Sequence, residues 1–262
     1  MEVKNRYFLI WVVIVLSFLF LVGCLDNKVE SFENSKLTVI ITASYIKSHP
    51  STKYISDVID SLEMINLPEG TRIILAHDYK KDANYEKYLR NLENKYSDRK
   101  DIIINVRKTK GHLTGNVRDA LKHVKTEFIL LLQHDLPFVR NVDISRVMED
   151  MKDAPELKHV RFNRRKTTKT AFDDINNLFG LEKKQRNYTY TRTPGWSDQN
   201  HIARTDYYDD IVMKECSDGG FMEGTLQGKN EDENSHKKYG TYIFGGLEHE
   251  QMIEHTDGRN SS

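Results

Sequence analysis

The stretch EFILLLQHDLPF, Glu127–Phe138, decides how the rest of the chain is read. Ile129–Leu132 are four successive apolar residues, which leave a strand no solvated face and place it inside a sheet covered on both sides. Pro137 stops the strand, since it has no N–H for the sheet ladder. Between run and proline stand three polar groups, Gln133, His134 and Asp135. In parallel α/β sheets ligands bind beyond the carboxyl ends of the strands. The triplet therefore either marks a site or is a strand leaving for water.

Upstream, strand and helix patterns alternate. LTVIIT (Leu37–Thr42) reads as a buried strand, and Ile55, Val58, Ile59, Leu62 and Ile65 form one face of an amphipathic helix. LPEG (Leu67–Gly70) is a turn, followed by a strand in TRIILAHD (Thr71–Asp78), a polar helix over Ala83–Tyr96 and a strand in DIIINV (Asp101–Val106). Val117, Ala120, Leu121 and Val124 make a further helical stripe, which leads into the opening stretch. This β-α-β-α-β-α-β order predicts an α/β fold, a mostly parallel central sheet flanked by helices. Downstream the alternation weakens: a helix is expected over Val142–Met151, a strand over Leu157–Asn163, and then irregular segments.

Composition narrows the function. The 262 residues carry 39 basic and 39 acidic side chains, a balance that gives no electrostatic argument for nucleic acid. Tyr7–Leu25 holds no charge and is long enough for one transmembrane helix, with Lys4 and Arg6 before it. The positive-inside bias then sends the rest of the chain across the membrane. An uncleaved signal anchor, a cleaved signal peptide and a bacterial lipoprotein signal ending in LVGC (Leu21–Cys24) all fit that segment. Cys216 has no partner within the folded part, so no disulfide within the domain is expected. The expected organisation is a cytoplasmic tail over 1–6, an anchor over 7–25, a linker over 26–36 and one domain over 37–262.

Two strands end alike, one on His77 and Asp78, the other on Gln133, His134 and Asp135. In a parallel sheet both ends lie on one edge, so two carboxylates can face one crevice. Asp is also common wherever strands turn out into loops.

The order and spacing of LTVIITAS, IILAHD and GHLTGNVRDALKHVKTEFILLLQHD resemble the GT-A (Rossmann-like) fold of nucleotide-sugar glycosyltransferases, the family 2 group in particular. The likeness spans Leu37 to about Phe138 and continues in two short stretches, GGFMEGTLQ and IEHTDGR. It implies that Ser44, Asp78, Gln133 and His134 contact the donor. It implies that Asp135, in a variant of the Asp-x-Asp motif, is a direct ligand of a divalent metal, Mn²⁺ or Mg²⁺. Such an ion neutralises the diphosphate leaving group. Gln133 stands where the family has its first Asp; it keeps an oxygen but loses the charge, which leaves the metal requirement open. His255 resembles a late histidine that closes over the diphosphate and serves as a further ligand.

Arg118 and Asp119 are candidates for contact with the nucleotide, and equally for an ion pair on a helix face. Inverting transfer needs a base for the acceptor proton, and Glu223 sits where the family carries it, with Asp218 and Asp198 as rivals. Trp196 is a candidate platform for a sugar ring or a core residue, and Asp198 beside it a candidate acceptor contact.

The resemblance thus implies a membrane-anchored transferase that moves a sugar from a nucleotide donor to a hydroxyl of a glycan, glycoprotein or glycolipid, with no nucleic acid partner. Sugar nucleotides are supplied in the cytosol and in the Golgi or ER lumen, which favours a type II anchor with a lumenal domain over a lipoprotein. Asn187 and Asn260 stand in glycosylation sequons. Two alternatives remain: a transferase-like binding module without activity, which Gln133 would explain, and a nucleotidyltransferase, whose Gly- and Arg/Lys-rich first loop is missing from TASYIKSHPST.

Overall fold

β1 (Leu37–Ala43) and β4 (Phe128–Gln133) run side by side in parallel, with Leu37 opposite Phe128 and Thr42 opposite Gln133. Both strands are buried almost throughout, as unbroken apolar runs require. This is a computed structural model, and it describes residues 35–168, 182–184, 187–230 and 232–256. β2 (Arg72–His77) pairs with β1, and β3 (Ile102–Val106) with β2, again in parallel.

The second half turns the sheet over. β5 (His159–Arg161), β6 (Glu182–Lys184), β7 (Thr189–Arg192), β8 (His201–Arg204) and β9 (Thr241–Phe244) complete nine strands in the order β3-β2-β1-β4-β8-β5-β9-β7-β6. β8 lies antiparallel between β4 and β5, while β5 and β9 are parallel to each other. β7 pairs antiparallel with both β6 and β9. The expectation of a mostly parallel sheet is therefore corrected to a mixed one, wholly parallel from β3 to β4 and with both kinds of pairing beyond. β8 follows neither of its neighbours β4 and β5 directly along the chain, so no β-α-β crossover sets its direction.

Side chains of a strand alternate between faces, and each face has its own cover. Val39, Ile41, Leu75, Leu130 and Leu132 pack under α1 (Lys53–Ser61), α2 (Ala83–Tyr96) and α4 (Ile144–Asp153). Ile40, Ile74, Ile129 and Leu131 meet α3 (His112–Leu121) and helical segments between Thr205 and Leu226. Those segments are α5 (Thr205–Tyr207), a π-helical stretch (Tyr208–Val212), α6 (Met213–Glu215) and α7 (Met222–Leu226); α8 (Glu233–Tyr239) follows.

Among the described residues no helix is long and apolar enough to cross a membrane. The expected anchor Tyr7–Leu25, most of the linker, Asn260 and the end of the IEHTDGR stretch lie outside the described residues. The Asn187 side-chain amide donates to Asp150 Oδ1 at 3.0 Å, so the nitrogen a glycan would occupy is already used within the fold.

Candidate active site

The carboxyl ends of β1, β2 and β4 open into a cleft of about 350 Å³, a size proper to small-molecule sites. Tyr45, Tyr79 and Phe221 line it, and these are three of the four large apolar side chains exposed among the described residues. Exposed aromatics gathered in one place, rather than scattered singly, mark a binding surface. Lys80 and Lys110 stand at the same cleft, with the Lys80 ammonium 5.3 Å from the Tyr45 ring centre. Ser44, Asp78, Gln133 and His134, expected on the donor side, all line this cleft.

Asp78 does more than end a strand. Its Oδ1 accepts from the N–H of Tyr79 at 2.9 Å and of Gly111 at 2.8 Å, and its Oδ2 from the N–H of His112 at 3.0 Å. The carboxylate thus caps α3 from another element, where a negative charge also meets the positive end of the helix dipole. The approach is close: a Cβ on Gly111 would lie 2.5 Å from Arg107 Nε. His112, which begins α3 and lines the cleft, has φ of 52°, a left-handed conformation that non-glycine residues rarely adopt. Beneath the cleft His77 bonds the Tyr88 hydroxyl at 3.0 Å. Burial pushes both His77 and His49 down to about 4, and the neighbouring His134 adds to it. Both rings are therefore neutral near pH 7.

The chain brings Asp135 and His255 together, with His255 Nε2 3.3 Å from Asp135 Oδ2. The Thr256 N–H and hydroxyl both donate to the Asp135 carbonyl, at 3.0 and 3.1 Å, which pins the late segment to the strand end. Among the described residues no group of three His, Cys, Asp or Glu could hold a metal ion. A two-residue site nevertheless fits a hard divalent ion. Asp135 Oδ1 is buried without a hydrogen-bond partner, and ligands at about 2.0–2.1 Å from Mg²⁺ place neighbouring donors about 3 Å apart. Such ions are commonly completed by water and substrate phosphates.

Gln133 connects the cleft to a pair of acids. Its side-chain amide donates to the Asp198 carbonyl at 2.9 Å. Asp198 N–H donates to Glu223 Oε2 at 2.9 Å, and Glu223 N–H to Asp198 Oδ2 at 3.1 Å, so each residue holds the other's carboxylate. Ser197 Oγ donates to the same Glu223 oxygen at 2.7 Å. Glu223 is thereby oriented through one oxygen, with Oε1 left for another partner. Burial, reinforced by the Glu223 charge, pushes Asp198 up to about 7. Its Oδ1 is buried and has no hydrogen-bond partner.

Four expectations are corrected. Trp196 offers no open face for a sugar: it is 1% exposed, packs in the core and donates its indole N–H to the Tyr207 hydroxyl at 2.9 Å. Arg118 bonds Asp218 at 2.8 Å and the Met213 carbonyl at 3.0 Å, fastening α3 to α6 rather than facing the cleft. Asp119 pairs with Lys122 at 2.7 Å and accepts from Asn105 at 3.1 Å, an ion pair on a helix face. Asp218, the rival base, is held by Arg118 and by Arg107 at 3.3 Å. Sequence reasoning missed Arg161, which ends β5 beside Glu223. The signal was available: a charged residue closing a buried strand, the same cue that picked out Asp78.

No family model matches the sequence, and no curated protein matches it. Solved structures do. Staphylococcus aureus TarS matches with a TM-score of 0.50 and 15% identity, over 85% of this chain and 37% of that one. TarS 1–349 in complex with UDP-GlcNAc matches at 0.50 and 16%, over 87% of this chain and 60% of that one. The mannosyltransferase PcManGT from Pyrobaculum calidifontis, in complex with GDP-Man and Mn²⁺, matches at 0.51 and 11%, over 95% and 68%. At these identities the likeness establishes the fold: the chain is built as these GT-A-like glycosyltransferases are. It spans less than two thirds of the TarS chains.

Proposed function

We propose that the chain is a glycosyltransferase that moves a sugar from a nucleotide-sugar donor to an acceptor hydroxyl with inversion, assisted by a divalent ion. One observation carries the reading: the aromatic and lysine-lined cleft at the strand ends leads, through Gln133, to the mutually held acids Asp198 and Glu223. The UDP-GlcNAc and GDP-Man complexes of the structural neighbours support a nucleotide sugar as donor.

Each part of the cleft suits a part of that donor. The faces of Tyr45, Tyr79 and Phe221 offer stacking to the base or sugar ring. Lys80 and Lys110 supply positive charge to the diphosphate. Asp135 and His255 would hold the divalent ion, which when bound neutralises charge on the departing diphosphate. Glu223, fixed through Oε2, presents Oε1 to the acceptor hydroxyl and takes its proton as that oxygen attacks the anomeric carbon. The bond to the donor phosphate breaks on the opposite face, and its electron pair leaves with the diphosphate.

The same reading keeps Tyr7–Leu25 as a signal anchor and puts the domain on the lumenal side, supported by Lys4 and Arg6 before the apolar run. UDP-, GDP- and CMP-sugars titrated into the full chain with and without Mn²⁺, followed by product analysis, test the function. Tight binding of one donor class and transfer to a hydroxyl are expected. Absence of binding by every donor would refute the reading. Binding without transfer to any acceptor would instead make the chain an inactive transferase-like module, a role that the internal engagement of the Gln133 amide would suit.

A further inference from the structure

Arg161 closes β5 on the sheet edge that carries the cleft, opposite His201 of β8. It forms no hydrogen bond and no ion pair with any described residue, and its Nε is shut from solvent without a partner. The charge that acts on it is Glu223. Glu223 does not consume the guanidinium, because its Oε2 is held by Ser197 Oγ and the Asp198 N–H. A guanidinium carries five N–H donors in a planar fork. Leaving the solvent-closed Nε donor unspent is costly, so such groups are ordinarily paired.

We propose that Arg161 forms an oxyanion subsite on the acceptor side, taking a phosphate or carboxylate group of the molecule whose hydroxyl faces Glu223. The inference rests on the transfer reading above and adds the acceptor's chemical class. Three features support it. The guanidinium fork matches an oxyanion in bidentate fashion, whereas a neutral hydroxyl would satisfy little of it. Gly195 flanks the guanidinium, where an added Cβ would stand only 4.0 Å from Nη1, so the absent side chain leaves that flank open. Asp198, raised to about 7 chiefly by burial, carries only part of its charge at neutral pH. Glu223 is then the acid whose charge acts on Arg161.

Two arms test the subsite on the full chain. In the first, inorganic phosphate is titrated into wild type, Arg161→Gln and Arg161→Lys, read by tryptophan fluorescence, to which Trp196 next to Gly195 contributes. Loss of the charge-assisted pairing should weaken phosphate binding by at least about tenfold in Arg161→Gln and less in Arg161→Lys. Unchanged phosphate affinity in Arg161→Gln would overturn the proposal. In the second arm glucose, glucose 6-phosphate and glucuronate are compared as acceptors, which separates phosphate from carboxylate. One anionic acceptor should exceed glucose by at least about tenfold in kcat/KM, and Arg161→Gln should bring that ratio near one. Equal use of neutral and anionic acceptors by wild type would refute the subsite while leaving glycosyl transfer standing. No transfer to any acceptor would refute the transfer reading, and the phosphate arm would still decide the subsite. Should Arg161→Gln not fold, Arg161→Lys and the wild-type acceptor ratio decide.

Discussion

Asp198→Asn is expected to gain stability over wild type as pH rises from about 4 to about 8. Asp198 is 7% exposed, and burial first, then the Glu223 charge, raises its pKa from 3.8 to about 7, against the opposing hydrogen bond from the Glu223 N–H. The folded state therefore holds a proton that the unfolded chain releases near 3.8. Stability from this group is fully present below that value, falls as pH rises, and is lost once pH passes about 7. At about 1.4 kcal/mol per pH unit the gap bounds the loss near ~4 kcal/mol. Relaxation around the site reduces that to about 1–3 kcal/mol, the range of ordinary core substitutions. Asn cannot ionise, and its carbonyl can still accept from the Glu223 N–H, so the variant escapes this loss. Any fixed cost of burying its amide is the same at every pH and cancels from the trend. Burial also depresses His49, His77 and His201 to about 4 and His159 well below its ordinary value. Wild type and variant alike thus lose stability as pH falls below about 6.5, and the histidine contribution cancels in the difference. Urea unfolding of both proteins across this pH range gives the difference directly. A difference that stays flat would show that Asp198 ionises normally.

Three further outcomes are expected. Glu223→Gln should lower transfer by at least about 10² while the donor titration changes little, because the lost group accepts the acceptor's proton; a full rate in that variant would move the base to Asp198. Asp135→Ala and His255→Ala should each weaken donor binding in the presence of Mn²⁺ and erase the difference made by adding the ion, measured by calorimetric titration; a Mn²⁺ effect that survives both changes would place the ion elsewhere. Asp78→Ala should cost about 2–4 kcal/mol in urea unfolding, since three backbone N–H groups lose a charged acceptor; a loss below about 0.5 kcal/mol, the size of a neutral surface change, would mean that the cap on α3 does not hold it.

The sequence by itself determined the first half of the fold and the edge on which to look for a site. An unbroken apolar run such as Ile129–Leu132 can be satisfied only between two covering layers, and alternation with helical stripes at short intervals leaves a parallel sheet as the remaining arrangement. Strand-end residues follow from that: Ser44, Asp78, Gln133 and His134 reach one cleft because parallel strands end on one edge. The tertiary structure alone decided what depended on partners distant along the chain. Nothing local to Trp196 says that Tyr207 and the second core will enclose it, and nothing local to Arg118 announces Asp218 in the turn after α6. The reversal at β8, the Asp135–His255 contact and the reciprocal hold of Asp198 and Glu223 likewise arise from packing between elements. Periodicity reports which face of an element is buried; the identity of the group it is buried against is set only when the chain closes on itself.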